Sequence, residues 1–552
     1  MLHSRGLTSV ILASALLVAG PAAGVEGDAQ SLADITLQET AQIRSSDGDV
    51  GDLFGFADAV SGDTAVSGAP GDDSQGLNAG SAYIFQQDVG GVDNWGEVTK
   101  INGSDESDGD SFGSAVAIYG DIAVVASPFH AHLGTNSGAV YIFERNNGGP
   151  DNWGEVTEIL SPDGVAEDFF GFSVAISGDL LVVGAAGADS PVVDAGAAYV
   201  FDRNLGGPDN WGFVTKLTAS SQEEDDSFGT AVGIDGTTAV VGAAVGLTSD
   251  AGSAYIFEGD QGWAETAILT ASDGDFGNQF GGAADIDGNT VVIGAAFDDE
   301  LGLDAGSAYI YDRNEGGLDN WGEVTKLLAT DGSEGDWFGF KVAVSGDYAL
   351  IGAQFADTLG SESDTGSAYV FDRTKGGDNA WGERAIFEAS DIADGDRFGT
   401  STAVDGFIFI VGTGAGEAAY VYDISPFFEP VDTCITFPTA CDSIEISTLF
   451  GVVTGTWINW DCEGADQEVG GFIGPVNTVV TCTEPTCPLG HLWAFFFNFD
   501  TFRFDLWEAD GTPPPEQQQN DAEFEAADGL CPDALWERRG GVSSAGLGGG
   551  SR

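Results

Sequence analysis

Carboxylates stand at fixed positions along this chain, and carboxylate oxygens are ligands that Ca²⁺ prefers in proteins. An Asp lies two residues before a Phe-Gly pair in six places: Asp52, Asp110, Asp168, Asp226, Asp336 and Asp396. Preceding turns add further acidic residues, as in the Asp-Gly-Asp sequences at 47–49, 108–110, 273–275 and 394–396. We therefore predict weak calcium binding in these loops, and no other cofactor. The candidate ligands are Asp47, Asp49, Asp52, Asp108, Asp110, Asp273, Asp275, Asp394 and Asp396.

The Asp two residues before each Phe also has a purely structural interpretation. Its side chain can accept backbone N–H groups at the turn, a role that Asn fills as well. Another Phe-Gly pair has Asn278 at this position, which keeps the shape and drops the charge. This exchange favours a structural cap for Asp52 and its equivalents, and it leaves calcium to the extra carboxylates of the preceding turns.

Residues suited to catalysis are few. Among the four His, His130 and His132 lie two residues apart and could bind zinc together with a nearby carboxylate. No other repeat has a matching ligand, so we expect these two residues to lie in an exposed loop. The sequence has no nucleophile elbow, phosphate-binding Gly loop or His-Glu-x-x-His motif. We predict that the protein is not an enzyme.

The elements that must position these residues are copied seven times. Phe-Gly pairs begin at Phe54, Phe112, Phe170, Phe228, Phe280, Phe338 and Phe398. Each is followed 14 residues later by a small-residue step such as Gly68-Ala69-Pro70. The intervals of 58, 58, 58, 52, 58 and 60 residues are typical of one repeated supersecondary unit. Each unit has the pattern of four strands, so we predict an all-β fold with a seven-bladed β-propeller over residues 36–423.

The spacing also predicts how the ring closes. A Trp-bearing outer strand follows each of the first six copies but not the seventh. Ile43 stands eleven residues before Phe54, as Ile101 stands eleven before Phe112. We therefore expect the N-terminal segment 37–43 to pair with residues 420–422 as the outer strand of the last blade, which protects the sheet edges.

Three elements recur in order in the copies: Phe-Gly, a step like Gly-Ala-Pro, and a strand such as Gly-Ser-Ala-Tyr-Ile-Phe at 80–85. This order resembles the FG-GAP repeat of integrin α-chain propellers, in the short variant common in bacterial secreted proteins. The resemblance implies a seven-bladed propeller with a binding or adhesive role. The calcium loop of integrin-type blades has no counterpart here, because a tight turn such as Ser61-Gly62-Asp63 stands in its place. The sequence also lacks Arg-Gly-Asp.

Net charge is a further strong signal. The chain has 89 acidic and 17 basic residues, for a formal net charge of −72. Such a charge repels nucleic acid and anionic membranes, so neither is an expected partner. Solvation in a saline habitat explains it best, and binding of divalent cations is the alternative.

Both ends of the chain differ from the repeats. Residues 1–24 have the charged start, apolar core and small residues of a secretory signal peptide. Later apolar stretches are too short for a membrane span. Residues 431–508 are expected to form a small β domain and residues 509–552 a largely disordered tail. All six Cys lie in this part, and we predict three disulfides of unassigned pairing. They are Cys434, Cys441, Cys462, Cys482, Cys487 and Cys531.

These features together predict an exported, non-catalytic module that binds a protein or glycan at or outside the cell surface. An extracellular polysaccharide hydrolase or lyase that uses loop carboxylates is one alternative, and a structural coat or matrix protein is another. The variable loops of an acidic face are the expected contact surface.

Overall fold

The computed structural model describes residues 35–424 except 92–93, 190–191, 222, 245–250, 358–363, 378 and 388. It also describes the backbone of eight strands between residues 434 and 538. The predicted signal peptide lies outside the described residues. Within the described part of the chain, no helix is long and apolar enough to span a membrane. One 3₁₀ turn is present there, at Gly259–Gln261.

The strands form seven sheets of one design, preceded by two short strands. These two are β1 (Ile35–Leu37) and β2 (Ala41–Ile43). Blade one consists of β3 (Ala57–Ser61), β4 (Thr64–Ala69), β5 (Ser81–Gln87) and β6 (Trp95–Ile101). Blade two consists of β7 (Ala115–Tyr119), β8 (Ile122–Ser127), β9 (Ala139–Glu144) and β10 (Gly154–Ile159). Blade three consists of β11 (Phe170–Ser177), β12 (Leu180–Ala185), β13 (Ala197–Asp202) and β14 (Gly212–Leu217).

Blades four to seven repeat the same order. Blades four and five are β15 (Phe228–Asp235), β16 (Thr238–Ala243), β17 (Ser253–Glu258) and β18 (Ala264–Leu269); and β19 (Ala283–Asp287), β20 (Thr290–Ala295), β21 (Ser307–Asp312) and β22 (Gly322–Leu327). Blades six and seven are β23 (Phe338–Ser345), β24 (Tyr348–Ala353), β25 (Ser367–Asp372) and β26 (Gly382–Phe387); and β27 (Phe398–Asp405), β28 (Ile408–Thr413) and β29 (Ala418–Asp423).

The seven sheets form a closed ring. Each first strand packs against the first strand of the next blade, and β27 of blade seven packs against β3 of blade one. First-strand residues from all seven blades line a common cavity. Among the second strands, β4, β8, β16 and β20 are buried along their whole length. The predicted all-β, seven-bladed β-propeller is therefore confirmed.

The N-terminal segment joins the ends of the ring. β2 pairs antiparallel with β29, with Gln42 opposite Tyr420. Glu39 accepts a hydrogen bond from the Ser390 backbone N–H at 3.2 Å, as Glu97 of blade one does from Ser46 at 2.8 Å. The sequence assigned residues 37–43 to one strand, but the structure divides them. β1, which contains Leu37, pairs in parallel with β26 on blade six, so the segment spans two blades.

Two glycines meet at most junctions between blades. A Cβ on Gly242 would lie 2.0 Å from the carbonyl oxygen of Gly281, the glycine of the next Phe-Gly pair. The same distance separates a Cβ on Gly412 from the carbonyl of Gly55, where blade seven meets blade one. The Phe-Gly glycines have φ between 84° and 95°, which a glycine adopts without steric cost. The Gly-Ala step and the Phe-Gly pair are therefore two halves of one inter-blade contact.

The Phe of each pair anchors this contact. Phe112 is fully buried and packs edge-on against Tyr141 and Phe143 of β9, at centroid distances of 5.4 and 6.0 Å. Its backbone N–H donates to the Ala79 carbonyl of the preceding blade at 2.8 Å. Equivalent ring pairs occur in all seven blades. One residue thus joins the interior of its own blade to the backbone of its neighbour.

Strands also occur in the C-terminal part of the chain. They are β30 (Cys434–Thr436), β31 (Ser443–Leu449), β32 (Val452–Trp460), β33 (Asp466–Pro475), β34 (Val479–Thr483), β35 (Leu492–Asn498), β36 (Arg503–Glu508) and β37 (Glu537–Arg538). They form a five-stranded sheet, β30-β34-β35-β36-β37, and a three-stranded sheet, β31-β32-β33. β37 falls within the expected disordered tail. The Cys side chains lie outside the described structure, so the three disulfides stay a prediction.

Replacing Gly242 with Ala should destabilise the propeller by roughly 2 kcal/mol, because the new methyl group meets a backbone carbonyl that cannot move freely. Urea denaturation measures the loss. Gly282→Ala is the matched control, since other copies have Ser114 or Thr230 at that position. Equal stabilities of the two variants would contradict the proposed role of the glycine contact.

Removing residues 25–45 should lower the melting temperature by at least about 5 °C. The deletion removes β1 and β2 and leaves the edges of β26 and β29 unpaired, and each lost backbone hydrogen bond costs about 1 kcal/mol. Removing only residues 25–34 keeps both strands and should leave the melting temperature unchanged. If the longer deletion melts like the shorter one, the N-terminal strands do not close the ring.

Candidate functional site

The recurrent Asp is a cap. The Asp52 carboxylate accepts the Asp49 N–H at 2.7 Å, and Asp110 accepts the Ser107 N–H at 2.7 Å. Asp168, Asp226, Asp336 and Asp396 make the same bond. In the fifth copy, Asn278 instead donates its side-chain amide to Asp298 at 2.8 Å. Five of these six Asp residues are buried, and Asp396 is half-buried.

The remaining predicted calcium ligands have different surroundings. Asp47 accepts hydrogen bonds from Tyr83 and Lys100, both at 2.8 Å, and Asp273 makes the same contacts with Tyr309 and Lys326. Asp108 accepts the Leu77 N–H at 3.0 Å. Asp49, Asp275 and Asp394 are exposed. Of the nine predicted ligands, only Asp110 belongs to a set of three or more metal-binding side chains that converge within the described residues. Calcium binding stays a prediction.

Lysines neutralise part of the acidic loops that carry these Asp residues, which we call the rim. The sequence did not predict these ion pairs. Lys100 on β6 bridges Asp47 and the buried Asp72, with its ammonium 2.8 Å from each carboxylate. Burial by itself would raise the pKa of Asp72, but hydrogen bonds from Lys100 and Ser74 lower this pKa to about 2. Lys216 and Lys326 stand at the same strand position in blades three and five. The acidic rim is thus partly an ordered set of ion pairs.

The histidine pair is placed differently from the sequence expectation. His132 is exposed, but His130 is buried, and its Nδ1 lies 2.9 Å from the Asp110 carboxylate. The prediction of an exposed loop is therefore wrong for His130. The loop turns inward here because Asp110, buried as a cap, supplies a hydrogen-bonding partner below the surface.

The central cavity collects side chains from every blade. It has a volume of about 530 Å³. Its wall combines hydroxyl groups with aromatic rings, and Ser114, Ser173, Thr230, Thr400 and Thr402 all contribute to it. The aromatic lining residues are Phe56, Phe129, Phe172, Phe297, Trp337 and Phe340. Phe56, Phe129 and Phe172 remain 38–44% exposed, although Phe is usually buried.

Trp337 is the centre of an aromatic cluster. Its ring lies 4.6 Å from Phe297, 4.5 Å from Phe355 and 6.1 Å from Phe340, centroid to centroid. Arg397 stacks over Phe355 at 5.0 Å. These residues come from three successive blades and meet where the Phe-Gly strands begin. We name this group, with Phe129, Phe169 and Phe172 from blades two and three, the aromatic mouth.

The backbone shows that these aromatic side chains are placed at a conformational cost. The residue before each Phe-Gly pair is left-handed in all seven copies, with φ of 59° at Trp337 and 54° at Phe169. Glycine would adopt this conformation more easily than any other residue. Because the strain recurs in every blade, the backbone shape belongs to the fold. The use of Trp and Phe there places large rings at the mouth.

The charged groups near the cavity have shifted protonation equilibria. Lys341 lines the cavity and is exposed to it, and desolvation by the surrounding wall lowers the pKa of its ammonium group. Among the described residues it forms no ion pair, and its nearest aromatic contact is Phe340, 5.7 Å away. Burial raises the pKa of Asp58 to about 6 and that of Asp285 to about 7. Ser401 donates a hydrogen bond to Asp58.

Seven sheets, six of four strands and one of five, surround a lined cavity and define a β-propeller. The FG-GAP repeat model matches residues 37–85, 95–143, 153–201, 211–257, 263–311 and 321–371, more than half of the chain. The chain therefore belongs to the FG-GAP repeat family. Each matched segment takes the outer strand of one blade and three strands of the next, which is the offset that lets β2 close the ring. The seventh copy lies outside the matched segments and adopts the same fold.

Among solved structures, the chain is similar to hydrazine synthase from Kuenenia stuttgartiensis, at 12% identity and a TM-score of 0.45. That match covers 68% of this chain and 97% of the other. The Dos1 propeller matches at 13% identity and a TM-score of 0.38, covering 65% of this chain and 74% of the other. A search of curated proteins finds no matching sequence.

Asp58→Asn should stabilise the protein at pH 8 by up to about 3 kcal/mol. The pKa of Asp58 is about 6 when folded against an ordinary value of 3.8, so its contribution favours folding below pH 3.8. That contribution is lost as the pH rises through 6, and Asn removes the dependence. Urea denaturation at pH 4 and pH 8 should show the gain at pH 8 alone.

Asp260→Asn, on the exposed 3₁₀ turn, is the control and should change stability little at either pH. A gain for Asp58→Asn of the same size at both pH values would show that ionisation of the buried carboxylate is not its cause.

Proposed function

We propose that the protein is an exported, non-catalytic binding module that recognises a glycan through the aromatic mouth. The observation that carries this proposal is the set of partly exposed rings around a hydroxyl-lined cavity. Aromatic faces offer flat apolar area for the C–H face of a sugar ring. The Ser and Thr hydroxyls of the cavity wall offer donors and acceptors for sugar hydroxyls.

The dimensions of the site favour a glycan over a protein surface. A cavity of about 530 Å³ lies within the range of about 300–1,000 Å³ of small-molecule sites. Protein partners commonly meet wider and flatter surfaces of about 800 Å² per side. A chain end or a short sugar segment therefore fits this concave mouth, while a globular protein would contact only its rim.

A polysaccharide hydrolase or lyase is the second candidate, and one observation supports it. Asp58 lines the cavity, and its pKa of about 6 is suited to proton transfer near neutral pH. Its Oδ2 accepts the Ser401 hydroxyl, and its Oδ1 is buried with no hydrogen-bonding partner among the described residues. A group so enclosed is better explained by inter-blade packing, so we propose binding without turnover.

Trp337→Ala should weaken glycan binding at least tenfold, which is about 1.4 kcal/mol, because it removes the ring at the centre of the aromatic mouth. A glycan array identifies ligands of the mature chain, and isothermal titration measures the affinity of each variant. Phe407→Ala is the matched control, since Phe407 is also partly exposed but lies at the β27–β28 turn, at the opposite end of the strand from the Phe-Gly pair.

Three outcomes would contradict the proposal. Shortened glycans on incubation with the protein would favour the hydrolase or lyase. No glycan bound, with a protein partner recovered instead, would favour protein recognition. Equal loss of affinity in both variants would place the ligand outside the aromatic mouth.

A further inference from the structure

Four side chains of blade two converge on one point of the rim. His130 Nε2 lies 3.7 Å from Asp105 Oδ2 and 3.8 Å from Glu158 Oε1. His132 Nδ1 lies 3.8 Å from the same Asp105 oxygen and 3.6 Å from the same Glu158 oxygen. These distances exceed a hydrogen bond. The Glu158 oxygen is buried and has no hydrogen-bonding partner in the described structure.

Blades one and five show a cation at the equivalent point. In blade one the ammonium of Lys100 lies between Asp47 and Asp72, and in blade five Lys326 lies between Asp273 and Asp298. The tyrosine of the third strand donates to the first of these Asp residues in both blades. A cation therefore completes the site in each of these blades.

Blade two has the equivalent aspartate and tyrosine but lacks the lysine. Asp105 is equivalent to Asp47 and accepts the Tyr141 hydroxyl at 2.8 Å. Glu158 stands at the Lys100 position, and His130 stands at the Asp72 position. The exchange replaces an ammonium group with a carboxylate and adds two imidazoles. The site therefore gains ligand atoms for a positive ion and loses the lysine that supplies the positive charge in blade one.

The spacing of the four atoms fits a tetrahedral metal. Zinc bonds of about 2.0–2.2 Å to nitrogen and oxygen place tetrahedral ligands about 3.3–3.6 Å apart. The four distances of 3.6–3.8 Å need only a small contraction. All four atoms lie within 4.8 Å of one another.

The outer contacts are those of a metal-binding histidine. The Nδ1–H of His130 faces the Asp110 carboxylate at 2.9 Å, which leaves the Nε2 lone pair directed at the site. Asp110 is itself held by the Ser107 N–H and hydroxyl. The side chains of His132 and Asp105 are 45% and 42% exposed, so a metal ion can enter from solvent.

We propose that Asp105, His130, His132 and Glu158 bind one divalent transition-metal ion, Zn²⁺, that takes the place of the rim lysine in blade two. Two imidazole ligands select zinc over calcium, which prefers oxygen alone. With neutral histidines, the two carboxylates balance the charge of the ion. The ion links the loop that enters blade two, the loop after β8 and the outer strand β10.

The test uses the mature chain and zinc alone. Isothermal titration should give one tight zinc site per chain, and zinc should raise the melting temperature while an equal concentration of calcium does not. His132→Ala should weaken this site more than tenfold. The double variant His130→Asp with Glu158→Lys rebuilds the arrangement of blade one. It should lose the tight site and match or exceed the stability of the wild-type protein without zinc.

Absence of tight zinc binding by the wild-type chain would overturn the proposal. Tight binding that survives in both variants would overturn it too, because the ion would then lie elsewhere on the acidic surface. If His132→Ala fails to fold, the double variant still decides, since its side chains already coexist in blade one.

Discussion

The structure depends on how closely two backbones approach at each junction between blades. The carbonyl of each Phe-Gly glycine presses against the small-residue step of the preceding blade, where Gly242 and Gly412 leave no room for a Cβ. Glycine loses more conformational entropy on folding than other residues, so its use at this point needs a structural reason. The reason is that seven such contacts set the angle between blades and allow the ring to close. Blade two has Ala126 instead of glycine at this step, and the spacing between Ala126 and Gly171 is slightly wider there.

A frame repeated seven times lets individual positions change without loss of the fold. At the closing junction, the Glu417 carboxylate accepts three backbone N–H groups, including that of Phe54 at 2.9 Å. Elsewhere a backbone carbonyl accepts the Phe N–H, as Ala79 does for Phe112. The rim varies in the same way, with lysine in three blades and a histidine–carboxylate cluster in blade two. Such differences between copies are informative because the repeated surroundings act as an internal reference.

The two proposed sites use different parts of this frame. The aromatic mouth collects residues from several blades around the axis, where the ring brings together positions that are equivalent in sequence. The metal site lies within one blade and uses three of its elements. A left-handed residue precedes every Phe-Gly pair, and its side chain lies beside the axis in Trp337. The fold thus offers seven variable positions at the mouth, and this chain uses two of them for large aromatic rings.

The sequence by itself determined the number of copies, the all-β propeller and the cap at Asp52, because these follow from local patterns and fixed periods. It also pointed to β2 through the spacing of Ile43 and Phe54. Tertiary structure alone decided the rest. Leu37 lies on blade six because a three-residue strand takes whichever edge is nearest, and spacing does not encode that edge. The partners Asp47 and Lys100 are 53 residues apart, and Phe129 and Trp337 are far more distant. Asp47 and Lys100 meet because the elements of one blade fold together, whereas closure of the ring places Phe129 and Trp337 on the wall of one cavity.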